Sequence, residues 1–115
     1  MLVLVLALGA FTVAALMGVA MAFNIFRGHF VCKMFSGMHA LLAILGSALV
    51  IFNTLTGGDE RAWVNIGMAV VILALGFLIT NRRKKGQSVK GLVMAHGALA
   101  VACYAFLIFI IAVHG

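Results

Sequence analysis

The chain opens with a long stretch that contains no charged residue, Leu2–Phe26, which reads LVLVLALGAFTVAALMGVAMAFNIF. A helix needs about 20 apolar residues to cross a hydrocarbon core of about 30 Å, so this stretch is long enough to span a membrane. Three further apolar stretches follow, Met34–Leu55, Ala62–Asn81 and Val89–Val113. Because strands cross lipid only as closed barrels, and four segments are too few to close one, all four stretches are predicted to be helices.

The composition indicates the same class of protein. Of the 115 residues, 66% are hydrophobic and 9% are charged, and proline is absent. A soluble domain this short cannot bury so much apolar surface, because small globules have the least interior per unit of surface. A water-soluble enzyme is therefore excluded. The predicted fold is an all-α membrane protein, a single domain over residues 1–115 that forms a four-transmembrane-helix bundle in a lipid bilayer.

The charged residues lie between the apolar stretches or at their ends. All lysines and arginines except Arg61 fall in the first and third loops, whereas Asp59 and Glu60 lie in the second. The positive-inside rule then predicts that the first and third loops are cytoplasmic, with both termini and the second loop outside a bacterial or archaeal plasma membrane. The net charge of +6 needs no nucleic-acid partner. The basic run Arg82–Lys85 could also dock anionic lipid or an acidic partner.

The two halves of the chain, residues 1–57 and 58–115, resemble each other. A shift of 57 residues aligns the scarce polar residues in one register: Asn24 with Asn81, Arg27 with Lys84, Lys33 with Lys90, and His39 with His96. We therefore expect two similar helical hairpins, related by a pseudo-two-fold axis along the membrane normal. Gene duplication and convergent pressure on one site would both produce this pattern.

His39 and His96 are predicted to lie at the same membrane depth. Each follows a lysine by six residues, about 9 Å along a helix, and both helices start on the same side. Ionisable groups inside a membrane are costly and mark functional sites, and two imidazoles on facing helices suit the two axial positions of a haem. Room for the ring would come from small or polar residues nearby: Ser36, Ala43, Gly46 and Ala100. The propionates of the haem would be neutralised by Lys33 and Lys90.

Two segments around these histidines, Lys33–Ala40 (KMFSGMHA) and Lys90–Gly97 (KGLVMAHG), resemble the haem-ligand helices of small transmembrane b-type cytochromes. The nearest kind is the ascorbate-reducible family with a four-helix core. In that family a parallel helix pair holds one haem near one membrane face, and a second pair holds another haem near the other face. The first and third apolar stretches of this chain contain no histidine. The resemblance therefore implies one haem b, with His39 and His96 as its iron ligands.

The expected function is single-electron transfer near the cytoplasmic face, by a redox subunit rather than a stand-alone enzyme. The chain has no C-x-x-C-H motif, so the haem would be non-covalent. A quinone, other redox subunits of a respiratory complex, or further copies of the chain are the expected partners. Two alternatives stay open: a cofactor-free structural or assembly subunit whose histidines join helices, and a chlorin-binding membrane protein.

Overall fold

The computed structural model describes the backbone of residues 1–114 and the side chains of residues 1–113. Four helices account for nearly all of it: α1 (Leu2–Phe26), α2 (Lys33–Leu55), α3 (Ala62–Lys84) and α4 (Lys90–His114). Each is long and apolar enough to cross a membrane. The predicted all-α four-helix bundle is confirmed. Gly115, the expected external C-terminus, lies outside the described residues.

The helix boundaries differ from the apolar stretches mainly at the end of α3. This helix continues beyond Asn81 to Lys84, so its last turn carries Arg82, Arg83 and Lys84. Backbone hydrogen bonding does not require apolar side chains, and cations stabilise the negative end of the helix dipole. At the other boundaries, α2 begins one residue before Met34 and α4 one residue after Val89.

The four helices form a square arrangement. α1 packs against α2 and α4, and α3 packs against the same two helices. α2 and α4 therefore face each other diagonally across the bundle axis, as do α1 and α3. The bundle measures 45 × 20 × 19 Å, so its length matches a bilayer of about 40–45 Å with its headgroups.

The helix-ending turns follow one design. Gly28, Gly57 and Gly86 have φ angles of 72°, 95° and 72°. In each case the next N–H donates to a carbonyl five residues earlier, as His29 does to Asn24 and Gln87 to Arg82. This is the Schellman motif, which favours glycine because a Cβ penalises left-handed backbone. α1, α2 and α3 therefore each stop where a glycine allows the chain to turn back.

The two hairpins correspond with a displacement of one residue. The first loop, residues 27–32, is one residue longer than the third, residues 85–89. The register that aligns the start of α2 with the start of α4 therefore cannot also align α1 with α3. The equivalent capping bonds match Asn24 with Arg82 rather than with Asn81. The expected alignment of Asn24 and Arg27 is thus displaced by one position.

The tightest packing lies in the half of the bundle near the second loop. The core there is built by six buried residues: Leu4, Ala7, Val50, Ala62, Leu107 and Ile110. The largest fully buried side chains, Val50, Asn65, Leu107 and Ile110, all belong to this half. The other half contains the two central histidines and ends in the basic loops. Among residues 1–113, it contributes none of these largest fully buried side chains. We call these the core half and the histidine half.

Candidate functional site

The rings of His39 and His96 meet inside the histidine half. Their centroids lie 6.3 Å apart, and the ring planes are tilted by 57°. Both side chains are half-buried. Because α2 and α4 are diagonal neighbours, the two rings reach toward each other across the bundle axis. The fold therefore brings together the two residues that the sequence singled out.

Each ring is oriented by a backbone carbonyl of the neighbouring helix. Nδ1 of His39 lies 2.7 Å from the carbonyl oxygen of Ala14 on α1. Nδ1 of His96 lies 3.0 Å from that of Ile72 on α3. A carbonyl can only accept, so each Nδ1 carries the proton and donates, and each Nε2 keeps its lone pair. Metal-ligating histidines are characteristically held in this way, with the second nitrogen bonded to a carbonyl or carboxylate.

A glycine lies against each ring. A Cβ added at Gly18 would approach Cε1 of His39 to 3.0 Å, and one added at Gly76 would approach Cε1 of His96 to 3.3 Å. Both distances are shorter than ordinary van der Waals contact, which begins at 3.4 Å. The absence of a side chain therefore lets α1 and α3 approach the imidazoles closely enough for the carbonyl bonds to form.

The same unit thus occurs in both hairpins. In α1 the carbonyl of Ala14 precedes Gly18 by one helical turn, and in α3 that of Ile72 precedes Gly76 by one turn. Sequence reasoning missed these four residues, because the alignment that pairs the histidines places Gly18 opposite Leu75. Allowing the first loop one extra residue aligns the two glycines, and this signal was present in the sequence.

The other predicted site residues occupy varied positions. Lys33 and Lys90 are exposed at the starts of their helices, whereas three residues farther along are half-buried: Ser36, Ala43 and Ala100. Gly46 is buried, and a Cβ there would lie 2.8 Å from Cε1 of Phe11. The Phe11 ring therefore packs directly against Gly46, which serves the contact between α1 and α2.

Two polar contacts that the sequence did not predict lie toward the core half. The hydroxyls of Thr12 and Tyr104 are 2.6 Å apart and join α1 to α4. Nδ2 of Asn65 donates to the carbonyl oxygen of Cys103 at 2.8 Å and joins α3 to α4. Oδ1 of Asn65 is buried without a hydrogen-bond partner. These contacts fix α4 against both neighbours beyond the histidine level.

The donor set inside the bundle consists of two imidazoles. Among residues 1–113, no group of three or more His, Cys, Asp or Glu side chains could hold an ion. A haem brings its own ring nitrogens and needs only two axial ligands from the protein. His39 on α2 and His96 on α4 are the two side chains that could supply such ligands.

Comparisons with known proteins gave no match. No family model matches the chain, and neither a curated protein nor a solved structure matches it.

Proposed function

We propose that the chain is a membrane b-type cytochrome in which His39 and His96 would hold one haem between α2 and α4. The observation that carries this proposal is the pairing, across the bundle axis, of two imidazoles whose Nδ1 atoms are each held by a backbone carbonyl of a neighbouring helix. One lone histidine in a membrane helix is explained by a hydrogen bond to a neighbouring helix. Two that converge are better explained by a shared ligand.

Several groups of this chain would prepare the site for its haem. The carbonyls of Ala14 and Ile72 hold the Nδ1 protons, so that each Nε2 is free to bind iron. This bond also raises the basicity of a ligating imidazole and limits its rotation. Lys33 and Lys90, exposed at the membrane surface, supply positive charge for the propionates. A haem bound by two imidazoles supplies one-electron transfer, at a potential tuned by burial and hydrogen bonding.

The position of the site limits what the chain can do alone. The histidines lie about 9 Å from the helix starts, so a haem there is close to one membrane face. We propose that this face is cytoplasmic, because the basic loops adjoin it. An electron would still have most of a core of about 30 Å to cross. The proposal therefore includes a redox partner, either a quinone or other subunits of a membrane complex.

The test is a visible absorption spectrum of the purified full-length protein, reduced with dithionite in mild detergent. We expect a b-type α band and a sharpened Soret band in the wild type. Both should be lost in His39→Ala and in His96→Ala, and kept in His29→Ala, which removes an exposed histidine from the first loop. A colourless wild-type protein from haem-replete cells would contradict the proposal.

The second candidate function is a cofactor-free structural subunit, and the carbonyl bonds of the histidines specifically favour it. Each bond ties two neighbouring helices together, α2 to α1 and α4 to α3. For that role His39→Gln could retain an interhelical hydrogen bond, and stability would survive the change. A haem site would not survive it, because an amide is a poor iron ligand. If the wild-type protein and His39→Gln are both stable and both colourless, the structural role is favoured.

A further inference from the structure

A second site of different chemistry lies at the basic end of the bundle, outside the histidine pair. A depression of about 270 Å³ opens between the first and third loops. It is lined by residues of both hairpins, with polar groups from each: His29 from the first loop, and Arg83, Gln87, Ser88 and Lys90 from the second hairpin. Its floor includes the buried Val89. The depression therefore lies between the two hairpins at this end rather than on the surface of one helix.

The charges around the depression are of one sign. Every lysine and arginine except Arg61 lies at this end, and the two carboxylates, Asp59 and Glu60, lie in the second loop at the opposite end. Arg61 forms an ion pair with Asp59 there. Arg83 and Lys90 thus line a concave surface with no carboxylate to neutralise them. Such a surface attracts an anion, most strongly one that can accept several charge-assisted hydrogen bonds.

The level of the depression along the membrane normal indicates which kind of anion would bind there. The first and third loops have only six and five residues, so they cannot project far beyond the ends of the helices. The bundle length of 45 Å places these loops at the level of the lipid headgroups. Phospholipid phosphates are concentrated at this level. Basic pockets at helix ends on the cytoplasmic side are a known means of binding such headgroups.

We propose that this depression binds the phosphate of an anionic phospholipid, with Arg83, His29 and Lys90 as its polar contacts. An anionic headgroup is favoured over a zwitterionic one, because the ammonium of the latter would find only cations nearby. The volume of the depression suits a lipid headgroup. A protein partner would need a much larger contact surface. The proposal shares Lys90 with the proposed haem site but does not otherwise depend on that site, and its test uses neither colour nor electron transfer.

The test is native mass spectrometry of the full-length protein released from bilayers of phosphatidylcholine that contain phosphatidylglycerol. We expect the wild type to retain phosphatidylglycerol selectively, and Arg83→Gln and His29→Gln to retain about tenfold less. The matched control is Lys84→Gln, which removes the same charge from an exposed side chain that does not line the depression. It should change retention by less than about twofold. Arg83→Lys should recover part of the loss.

Several outcomes would overturn the proposal. Equal losses in Lys84→Gln and Arg83→Gln would mean that only diffuse surface charge attracts the lipid. Equal retention of phosphatidylcholine and phosphatidylglycerol would remove the selectivity. Displacement of the lipid by millimolar inorganic phosphate would identify a site for free phosphate instead. Far-ultraviolet circular dichroism of each variant confirms that the helices are intact before retention is compared.

Discussion

Replacing Gly18 with alanine places a methyl group directly against the ring of His39. The Cβ would lie 3.0 Å from Cε1, whereas ordinary contact begins at 3.4 Å, so ring and helix must separate by about 0.4 Å or more. The same ring edge carries Nδ1, whose bond to Ala14 is 2.7 Å long and would be stretched. Overpacking of this kind costs about 1–3 kcal/mol, more than the up to about 1 kcal/mol that alanine gains over glycine in a helix.

The expected consequence is a weaker haem site. Loss of the hydrogen bond that orients a metal ligand typically lowers affinity about 10–100-fold. We therefore expect Gly18→Ala to bind haem at least about tenfold more weakly in a titration of purified apoprotein followed by absorption. Gly76→Ala should have a smaller effect, because its Cβ would lie 3.3 Å from the His96 ring.

Matched controls exist in the same helices. Gly9 in α1 and Gly67 in α3 have nothing within 4 Å of an added Cβ. Gly9→Ala and Gly67→Ala should therefore bind haem as the wild type does. If Gly18→Ala binds as tightly as Gly9→Ala, the ring does not depend on close approach of α1, and this account of the site is wrong. Thermal unfolding in detergent should follow the same order, which gives a readout that is independent of haem.

Two further predictions concern residues outside the histidine pair. The backbone N–H groups of Phe35 and Met34 lower the pKa of the exposed Cys32 thiol. In inverted membrane vesicles, an impermeant maleimide should therefore label Cys32 at a lower pH than it labels an ordinary thiol. It should leave the buried Cys103 unmodified. Labelling of Cys32 in intact cells would reverse the proposed orientation. Asn65→Leu should lower the free energy of unfolding by less than about 1 kcal/mol, because it removes the unpartnered Oδ1 together with the hydrogen bond to Cys103. Asn65→Asp should cost about 3 kcal/mol or more by burying a charge, and equal stability of the two variants would refute this explanation.

The number, length and approximate ends of the helices were predictable from the sequence. Long apolar stretches in a chain with so few charges have one physical solution, because lipid demands that the backbone satisfy its own hydrogen bonds. The equal depth of His39 and His96 followed from helical rise and from their lysines alone. These quantities depend on distance along one helix and need no knowledge of the neighbouring helices.

What the sequence did not predict depends on contacts between helices. Which carbonyl receives each Nδ1 depends on how α1 slides along α2, and one residue of loop length changes that register. Gly46 illustrates the same limit. Its small size was read as room for a ring, but small residues serve helix contact equally well, so the sequence could not predict that Phe11 of α1 packs against it. The Thr12–Tyr104 contact likewise joins helices that are distant in the chain.

The claim that two histidines share one iron is tested most directly by electron paramagnetic resonance of the oxidised protein. The account predicts a low-spin ferric signal typical of two imidazole ligands in the wild type. It predicts loss of that signal, with a high-spin signal or no haem, in both His39→Ala and His96→Ala. A wild-type protein that contains no haem, or a low-spin signal that persists unchanged in either variant, would contradict it.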